Sequence, residues 1–397
     1  MYKSNKNETK KILLIEICNF IDYPIGGYLS FAKQMLTAFG NQLVLVGLST
    51  DNTPTGKWIK KEIDGITYDY FSVGKVKKTN KKTFIPIRLK SYFLVKRYQR
   101  QILSIGIENI FIQTPEVLFA LNRSNLKNLC ARIPGVENPM SISRYWYGKF
   151  FTKIFDHFYF RKINIAKIIL ASADNVSIHN FINRGKGVVP ISRVIQFPTR
   201  VNTDIFRKTQ KENERIELGL SLHDKIIVTT GRLSQLKGWK FMLDCFLKFK
   251  NIYPNSIFIF LGDGEDRLKI EEYIDKEKIG QNVKITGRIS HQLLAKYLNA
   301  ADLYIMGSYV EGWATSLVEA VSCAKPVVCS NFSSAKELIE NGINGYVIEN
   351  RNTEEFVRSM LDCFNIPEEN LLIKSMEMQQ YSVSDLKNSI LKHWKLI

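Results

Sequence analysis

The sequence predicts an α/β protein made of two doubly wound domains in tandem. The chain has 397 residues, which exceeds the roughly 250 to 300 residues at which a single core stops growing. Apolar residues make up 45% and charged residues 24%, the composition of a globular protein. The chain contains two copies of the same succession of elements, a strand, a glycine-rich loop, a helix and a second strand. One copy lies near the predicted start of each domain, which favours two parallel sheets over one large sheet.

The first copy of this order lies near the beginning of the chain. Its pieces are a buried strand from Ile12 to Ile17 interrupted by Glu16, the glycine loop Gly26-Gly27, a helical pattern from Tyr28 to Phe39 and a strand from Leu43 to Leu48. Because ligands of doubly wound folds collect at the carboxyl ends of the strands, the glycine loop is a candidate binding element.

The second copy follows a predicted linker over residues 199–214. Its strands are Lys225 to Thr230, Ser256 to Leu261, Val283 to Thr286, Leu303 to Met306 and Pro326 to Cys329, and its helices start near Trp239, His291, Thr315 and Ala335. We therefore predict Rossmann-like domains at residues 1–200 and 201–375. Residues 376–397 carry an amphipathic helix, which we expect to pack back on the N-terminal domain.

The net positive charge of the chain comes entirely from its N-terminal half. The first 200 residues contain 31 Lys plus Arg and 12 Asp plus Glu, whereas the remaining residues contain 25 and 26. Two segments there, residues 92–100 and 143–162, combine basic and aromatic side chains. They fit either a surface that docks on an anionic membrane or ordinary helices packed in the core, and the sequence leaves both readings open.

The sequence favours a cytoplasmic protein at the inner face of the plasma membrane. The six cysteines form no CxxC pair, as expected of free thiols in a reducing compartment. The first residues are polar and charged and do not resemble a secretory signal. The opening apolar stretch, Ile12 to Ile17, is far short of the roughly 20 residues that span a bilayer, so we expect any membrane contact to be peripheral.

The loop after the strand at residues 225–230 carries two cations. Gly231 and Arg232 follow this strand, and Lys237 lies five residues after the arginine. A loop of this length allows a planar guanidinium and a compact ammonium to face one anion. A diphosphate is the natural ligand for such a pair.

A second motif, residues 311–320, contains two glutamates eight positions apart around Thr315 and Ser316. Either hydroxyl residue is a good helix N-cap, which would turn the following amides toward a phosphate. Glu319 lies one turn into that helix, where we expect it to bind ribose hydroxyls, because its charge would repel the phosphate. Glu311 precedes the helix and is placed to bind hydroxyls of a transferred sugar. Solvent exposure and helix capping are the alternative for the two glutamates.

Residues 230–349 resemble the nucleotide-sugar-binding domain of the retaining family-4 glycosyltransferases, which have the GT-B fold of two Rossmann-like domains facing across a cleft. The motifs that match, in order, are Gly231-Arg232, Lys237-Gly238, Gly262-Asp263-Gly264, residues 283–287, Ala300-Ala301-Asp302, residues 311–319, residues 323–328, Glu337-Leu338-Ile339 and Asn344-Gly345. The resemblance implies that Arg232 and Lys237 hold the donor diphosphate and that Glu311, the third catalytic residue, touches the donor sugar.

The resemblance also implies the rest of the donor site. Glu319 holds the ribose, and sugar and base are selected around Asp263, Arg288 and Glu311. The remaining donor-binding residues that it implies are Gly26, Gly27, Gly231, Gly262, Gly312, Thr315, Ser316 and Leu317.

The N-terminal half departs from the family at the reaction centre. Many members have a histidine near the position of residues 132–135, whereas this chain has none there, so no catalytic histidine is assigned. We expect Glu137 and Asn138 to lie on the acceptor side instead.

The resemblance implies transfer with retention of anomeric configuration. The chain contains no Asp-x-Asp motif, so no metal or other cofactor is expected. The basic half favours a lipid-linked or other saccharide acceptor at an anionic membrane, as in surface polysaccharide synthesis. Three alternatives stay open: another GT-B enzyme such as a sugar-nucleotide epimerase, a non-catalytic subunit, and a nucleic-acid-binding protein, for which no recognised motif is present.

Overall fold

The computed structural model describes residues 11–24, 26–78, 87–141 and 150–396, which divide into two compact units. Unit 1 comprises Met1–Pro198 and Ser384–Ile397, and unit 2 comprises Thr199–Val383. The second predicted boundary, at residue 375, is too early. Ser382 pairs with Val201 within unit 2, so only the last segment of the chain belongs to unit 1.

The helices and strands of unit 1 alternate along most of its sequence. The strands are β1 (Ile12–Ile15), β2 (Leu43–Ser49), β3 (Trp58–Ile63), β4 (Ile66–Lys75), β5 (Asn109–Ile112), β6 (Asn128–Ile133), β7 (Ile168–Ala171) and β8 (Val194–Gln196). The helices are α1 (Gly27–Phe39), α2 (Ile87–Leu103), α3 (Pro115–Ala120), α4 (Thr152–Ile163), α5 (Asn175–Arg184) and, from the end of the chain, α14 (Leu386–Trp394).

These strands form one sheet in the order β3-β4-β2-β1-β5-β6-β7-β8. Neighbouring strands are parallel except β3 and β4, which form an antiparallel hairpin. Helices α2 to α5 contribute to the core on one face, and α1 and α14 pack on the other.

The C-terminal helix α14 is anchored by Trp394. This buried ring lies 6.2 Å from the Phe111 ring, between centroids. Its indole N–H donates a hydrogen bond of 2.9 Å to Asn128 Oδ1. The amphipathic pattern at the end of the chain therefore buries its apolar side against the sheet of unit 1.

Unit 2 repeats the strand and helix alternation. The strands are β9 (Lys225–Thr230), β10 (Ser256–Leu261), β11 (Val283–Ile285), β12 (Leu303–Met306), β13 (Val327–Ser330) and β14 (Gly345–Ile348). The helices are α6 (Lys211–Glu217), α7 (Trp239–Ile252), α8 (Arg267–Lys276), α9 (His291–Ala300), α10 (Thr315–Ser322), α11 (Ala335–Leu338), α12 (Thr353–Asp362) and α13 (Glu368–Glu377).

The sheet of unit 2 is parallel, with strand order β11-β10-β9-β12-β13-β14. Strands β10 and β11 lie on one side of β9 in the sheet. The next strand in sequence, β12, lies on the other side of β9, followed by β13 and β14. Such a reversal opens a crevice at the carboxyl ends of the two central strands, because the connections leaving them run in opposite directions. The loops after β9 and β12 line this crevice.

A close contact between glycine backbones brings the two loops together. Gly238 has φ of 68°, in the left-handed region, and a Cβ atom built on it would lie 1.9 Å from the carbonyl oxygen of Gly307. No side chain fits at that distance. Glycine at 238 therefore allows both the turn into α7 and the contact between the loops.

We predict that Gly238→Ala destabilises the protein by about 3 kcal/mol or more, because strain and a backbone clash combine. The matched control is Gly219→Ala, since Gly219 has φ of 62° and nothing lies within 4 Å of an added Cβ. The control isolates the cost of the left-handed conformation, about 1 kcal/mol. Urea denaturation measures both, and equal losses would contradict the role given to the Gly307 contact.

Candidate active site

The site is built first by backbone hydrogen bonds between the loops that follow β9 and β12. The Tyr309 N–H donates to the Leu236 carbonyl at 2.8 Å. Leu236 immediately precedes Lys237, and Tyr309 lies two residues before Glu311. This hydrogen bond therefore fixes the backbones from which both charged side chains extend.

Lys237 and Glu311 form an ion pair in this crevice. Lys237 Nζ lies 2.5 Å from Glu311 Oε1, and the two side chains are 30% and 14% exposed. Partial burial strengthens the attraction, and the pairing compensates each charge in the absence of a ligand. The sequence assigned the two residues to different parts of one ligand; the structure places them in direct contact.

The loop after β10 packs tightly on the loop after β9. The Gly231 N–H donates to the Leu261 carbonyl at 3.1 Å, and the Leu233 N–H donates to the Asp263 carbonyl at the same distance. A Cβ on Gly262 would lie 2.0 Å from the Gly231 carbonyl oxygen. These contacts hold exposed Arg232 at the mouth of the crevice, beside the loop that ends in Lys237.

Helix α10 begins at the same edge of the sheet, but not as predicted. The residue that caps it is Ala314, with no side-chain cap, so Thr315 and Ser316 are its first two residues and the N-cap prediction is wrong. The Ala314 N–H donates to Ser334 Oγ at 3.2 Å, which sets the start of the helix by a tertiary contact. Helix α10 still begins at the carboxyl edge of the sheet, after Gly312 and the loop from β12, but the Leu317 N–H already donates to the Ala314 carbonyl at 3.1 Å.

Glu319 is buried on α10, with 9% of its surface exposed. Burial raises the pKa of its carboxyl to about 8, so the protonated form dominates at neutral pH. The hydroxyl of Tyr304, on β12, lies 3.1 Å from Thr230 Oγ1 at the end of β9. Burial, and to a lesser degree the charges of Glu319 and Glu311, raise the pKa of Tyr304. The sequence analysis did not assign this buried contact, which joins two neighbouring strands behind the crevice.

Two more of the predicted donor residues follow β10 and β11. Asp263 Oδ1 accepts a hydrogen bond from the Gly264 N–H at 2.9 Å. Arg288 is exposed and follows β11, the outermost strand of the sheet. The crevice itself is thus formed by the residues after β9, β10 and β12.

Comparisons with known proteins identify the family of unit 2. Residues 210–380 match the family model described as Glycosyl transferases group 1. That range contains the whole crevice of unit 2. Unit 2 belongs to the group 1 glycosyl transferases.

Two characterised relatives are glycosyltransferases. The chain is 24% identical over 292 residues to the alpha-monoglucosyldiacylglycerol synthase of Acholeplasma laidlawii, a match that covers 69% of this chain and 71% of that protein. It is 25% identical over 188 residues to the alpha-D-kanosaminyltransferase of Streptomyces kanamyceticus, covering 47% of this chain and 48% of the relative. The second match thus spans about half of the relative's length. With the family match, these similarities establish a glycosyltransferase.

Solved structures show the same fold over almost the whole chain. Sucrose-phosphate synthase from Thermosynechococcus elongatus matches with a TM-score of 0.75 at 15% identity, covering 98% of this chain and 99% of that one. HepE from Anabaena, solved with UDP and glucose, matches with a TM-score of 0.71 at 16% identity, covering 98% and 100%. The glycosyltransferase therefore has the GT-B fold, as predicted.

In unit 1 of the glycosyltransferase, the predicted residues lie at two places. Gly26 and Gly27 are exposed at the start of α1. Glu137 and Asn138 follow β6, where Glu137 is exposed. The Asn138 amide donates to the Thr152 carbonyl at 3.0 Å and accepts from the Met140 N–H at 2.8 Å, so it stabilises its own loop. Their roles toward donor and acceptor stay predictions.

Three buried polar side chains that the sequence analysis did not assign are linked by hydrogen bonds in unit 1, on or directly after strands β1, β5 and β6. Gln113 donates to Glu16 Oε2 at 2.7 Å and accepts from Arg132 Nη1 at 2.8 Å. The Arg132 guanidinium stacks on Phe31 at 3.9 Å. Burial raises the pKa of Glu16 to about 7. A carboxylate directly after a buried strand was the available signal, and it was read only as an interruption.

The described parts of the glycosyltransferase contain neither a membrane-spanning helix nor a cluster of metal-binding side chains. Within residues 11–24, 26–78, 87–141 and 150–396, no helix is both long and apolar enough to cross a membrane. Within the same ranges, no three His, Cys, Asp or Glu side chains are arranged to hold a metal ion. The expectation that catalysis needs no metal stays a prediction.

Proposed function

We propose that this protein is a retaining hexosyltransferase that moves a sugar from a nucleotide-diphosphate sugar to a lipid-linked saccharide during synthesis of a surface polysaccharide such as capsule, O-antigen or exopolysaccharide. The observation that carries the proposal is the Lys237–Glu311 pair at the reversal of strand order in unit 2. A partly buried cation next to a carboxylate suits a ligand with a phosphate beside a hydroxylated ring.

Each side chain of the crevice has a place in the donor complex. Lys237 and Arg232 bind the diphosphate, together with the first amides of α10. Glu311 gives up the Lys237 ammonium to the incoming phosphate and binds hydroxyls of the donor sugar. Glu319, protonated at neutral pH, can both donate to and accept from the ribose hydroxyls. The structures of HepE with UDP and with UDP-glucose support a ligand of this class.

The proposed chemistry is a same-face substitution at the anomeric carbon. The bond from this carbon to the diphosphate oxygen breaks, and a bond to the acceptor hydroxyl oxygen forms on the same face. The acceptor proton passes to the leaving phosphate oxygen. Lys237, Arg232 and the α10 amides stabilise the negative charge that develops on the diphosphate, which is where preorganised dipoles and cations contribute most.

We predict that Glu311→Gln lowers kcat by at least about 10²-fold, the scale on which loss of a single transition-state contact acts. The amide keeps the shape of the side chain but not the charge that the reacting sugar needs. Nucleoside diphosphate release and transferred sugar, measured with a polyprenyl-diphosphate saccharide as acceptor, report the turnover.

Glu349→Gln is the matched control, because Glu349 also pairs with a lysine of unit 2, Lys336, at 2.6 Å on the exposed surface. Its turnover should equal that of the wild type. The proposal fails if Glu311→Gln retains full turnover. It also fails if wild-type protein consumes nucleotide sugars without transferring sugar to any acceptor, the result expected of an epimerase.

The acceptor half of the proposal rests on the surface of unit 1. Helix α4 buries Tyr159 and Phe160 in the core. On its other side, Ile154 and Phe158 are 55% and 57% exposed, one helical turn apart, and Phe151 before the helix is 52% exposed. The predicted aromatic residues Tyr145, Trp146 and Tyr147, with Lys149, lie outside the described residues.

Helix α2 adds a second exposed apolar ridge. Leu89 and Phe93, again one turn apart, are 48% and 61% exposed. Both α2 and α4 contact α3, and all three helices contribute to the core on the same face of the sheet. Exposed Lys90, Lys96, Arg97, Arg100, Lys153 and Arg161 accompany the two ridges.

We call residues 89–100 and 151–161 the docking face and propose that it binds the anionic inner face of the plasma membrane. Rings that enter the head-group region and a basic margin that attracts anionic lipids are the two elements of interfacial binding. The Acholeplasma relative, named as a synthase of a glucosylated diacylglycerol, supports a lipid environment for the acceptor. The nucleotide sugar is cytoplasmic, so the protein would act on that side.

We predict that the wild type co-sediments with phosphatidylglycerol vesicles at low salt and that Ile154→Ser with Phe158→Ser weakens this binding by at least about tenfold, since each large apolar side chain contributes about 1.5–3 kcal/mol when buried. The control replaces Ile216 and Met376, which are 68% and 69% exposed on helices of unit 2, by serine. Vesicle binding that is absent in the wild type, or equal in the two double variants, would contradict the docking face.

A further inference from the structure

One arginine outside the predicted site contacts the loop that carries Glu311. Arg351 follows β14 and adopts φ of 30°, in the left-handed region that is unfavourable for a non-glycine residue. Its Nη2 donates a hydrogen bond to the Ser308 carbonyl. Its guanidinium carbon lies 3.8 Å from the centroid of the Tyr309 ring. Arg351 thus contacts two consecutive residues of the segment between β12 and Glu311.

The same segment is held by other contacts on its remaining sides. The Ser308 carbonyl accepts a second hydrogen bond from Ser330 Oγ, at 2.7 Å. The Tyr309 N–H donates to Leu236 at 2.8 Å. A Cβ on Gly307 would lie 2.9 Å from Met242 Cγ, so this end has no spare room. Only Val310 lies between Tyr309, the last of these anchored residues, and Glu311.

The contact between Arg351 and the Tyr309 ring restrains the side chain of this segment as well as its backbone. A guanidinium that lies over a ring and donates to the neighbouring carbonyl restrains both the backbone and the side chain of that segment. Tyr309 is 48% exposed, so the protein core holds only part of this ring. Arg351 therefore supplies a restraint that core packing leaves incomplete.

We propose that Arg351 is a positioning residue that holds residues 308–311 in place, so that the Glu311 carboxylate stays where the donor sugar needs it. The expected effect on kcat rests on the proposed function. The expected effect on the mobility of residues 308–311 does not. Arg351 contacts neither Lys237 nor Glu311 directly and acts through the backbone of Ser308 and the ring of Tyr309.

The test compares four variants with the wild type. Arg351→Ala removes both contacts and should lower kcat by about tenfold or more, because small displacements of a reacting group are costly. Arg351→Lys keeps the charge without the planar guanidinium over the ring, and its kcat should be intermediate. Tyr309→Phe keeps the ring and should match the wild type. The fourth variant combines Arg351→Ala with Tyr309→Ala. Its kcat should be no lower than that of Arg351→Ala alone, because the second substitution removes a contact between guanidinium and ring that the first has already removed.

Two readouts separate positioning from a general loss of structure. The affinity for UDP, a probe that lacks the sugar, should change by less than about twofold in Arg351→Ala, because Lys237 and the α10 amides remain. Hydrogen exchange of the peptide over residues 307–313 should accelerate in Arg351→Ala. Exchange in the strands of unit 2 should stay unchanged.

The proposal is overturned if Arg351→Ala leaves both turnover and the exchange of residues 307–313 unchanged, or if UDP affinity and melting temperature fall as far as turnover does. If the wild type transfers no sugar but Arg351→Ala still accelerates exchange over 307–313, the positioning role stands and the proposed function fails. The two ideas are therefore tested separately.

Discussion

The active-site arrangement in unit 2 depends on the contact between Gly238 and Gly307. A Cβ on Gly238 would lie 1.9 Å from the Gly307 carbonyl oxygen, so the loops after β9 and β12 can meet only through bare backbone. Lys237 is adjacent to the first glycine, and Glu311 is four residues after the second. The ion pair between them, the hydrogen bond from Tyr309 to Leu236 and the support from Arg351 all follow from this approach.

Much of the fold of unit 2 could be predicted from the sequence. Strands β9, β10 and β12 and the starts of α7 and α9 agree with the predictions, because short apolar runs bounded by glycine or polar residues have few alternatives. The start of α10 at Thr315 was also predicted, but its cap was not. The residue at the N-cap is decided by Ser334, whose position depends on tertiary packing that a local pattern does not contain.

The contacts within the site needed the strand order. Lys237 and Glu311 are far apart in sequence and pair because β12 lies next to β9. The same holds in unit 1, where β1 and β5 are neighbours and bring Glu16 to Gln113. For α4, the sequence left a core helix and an interfacial helix open. Each description fits part of it, since Tyr159 and Phe160 are buried whereas Ile154 and Phe158 are exposed.

Lys237 is, in the mechanism that we propose, the cation that leaves Glu311 and binds the diphosphate when the donor binds. Titration of UDP into the protein, followed by the ³¹P chemical shifts of its two phosphates, measures this most directly. We expect Lys237→Ala to weaken UDP binding by about tenfold or more, equivalent to about 1.4 kcal/mol, and Glu311→Gln not to weaken it, because the competing carboxylate is gone. Unchanged affinity in Lys237→Ala, or equal weakening in both variants, would contradict the account.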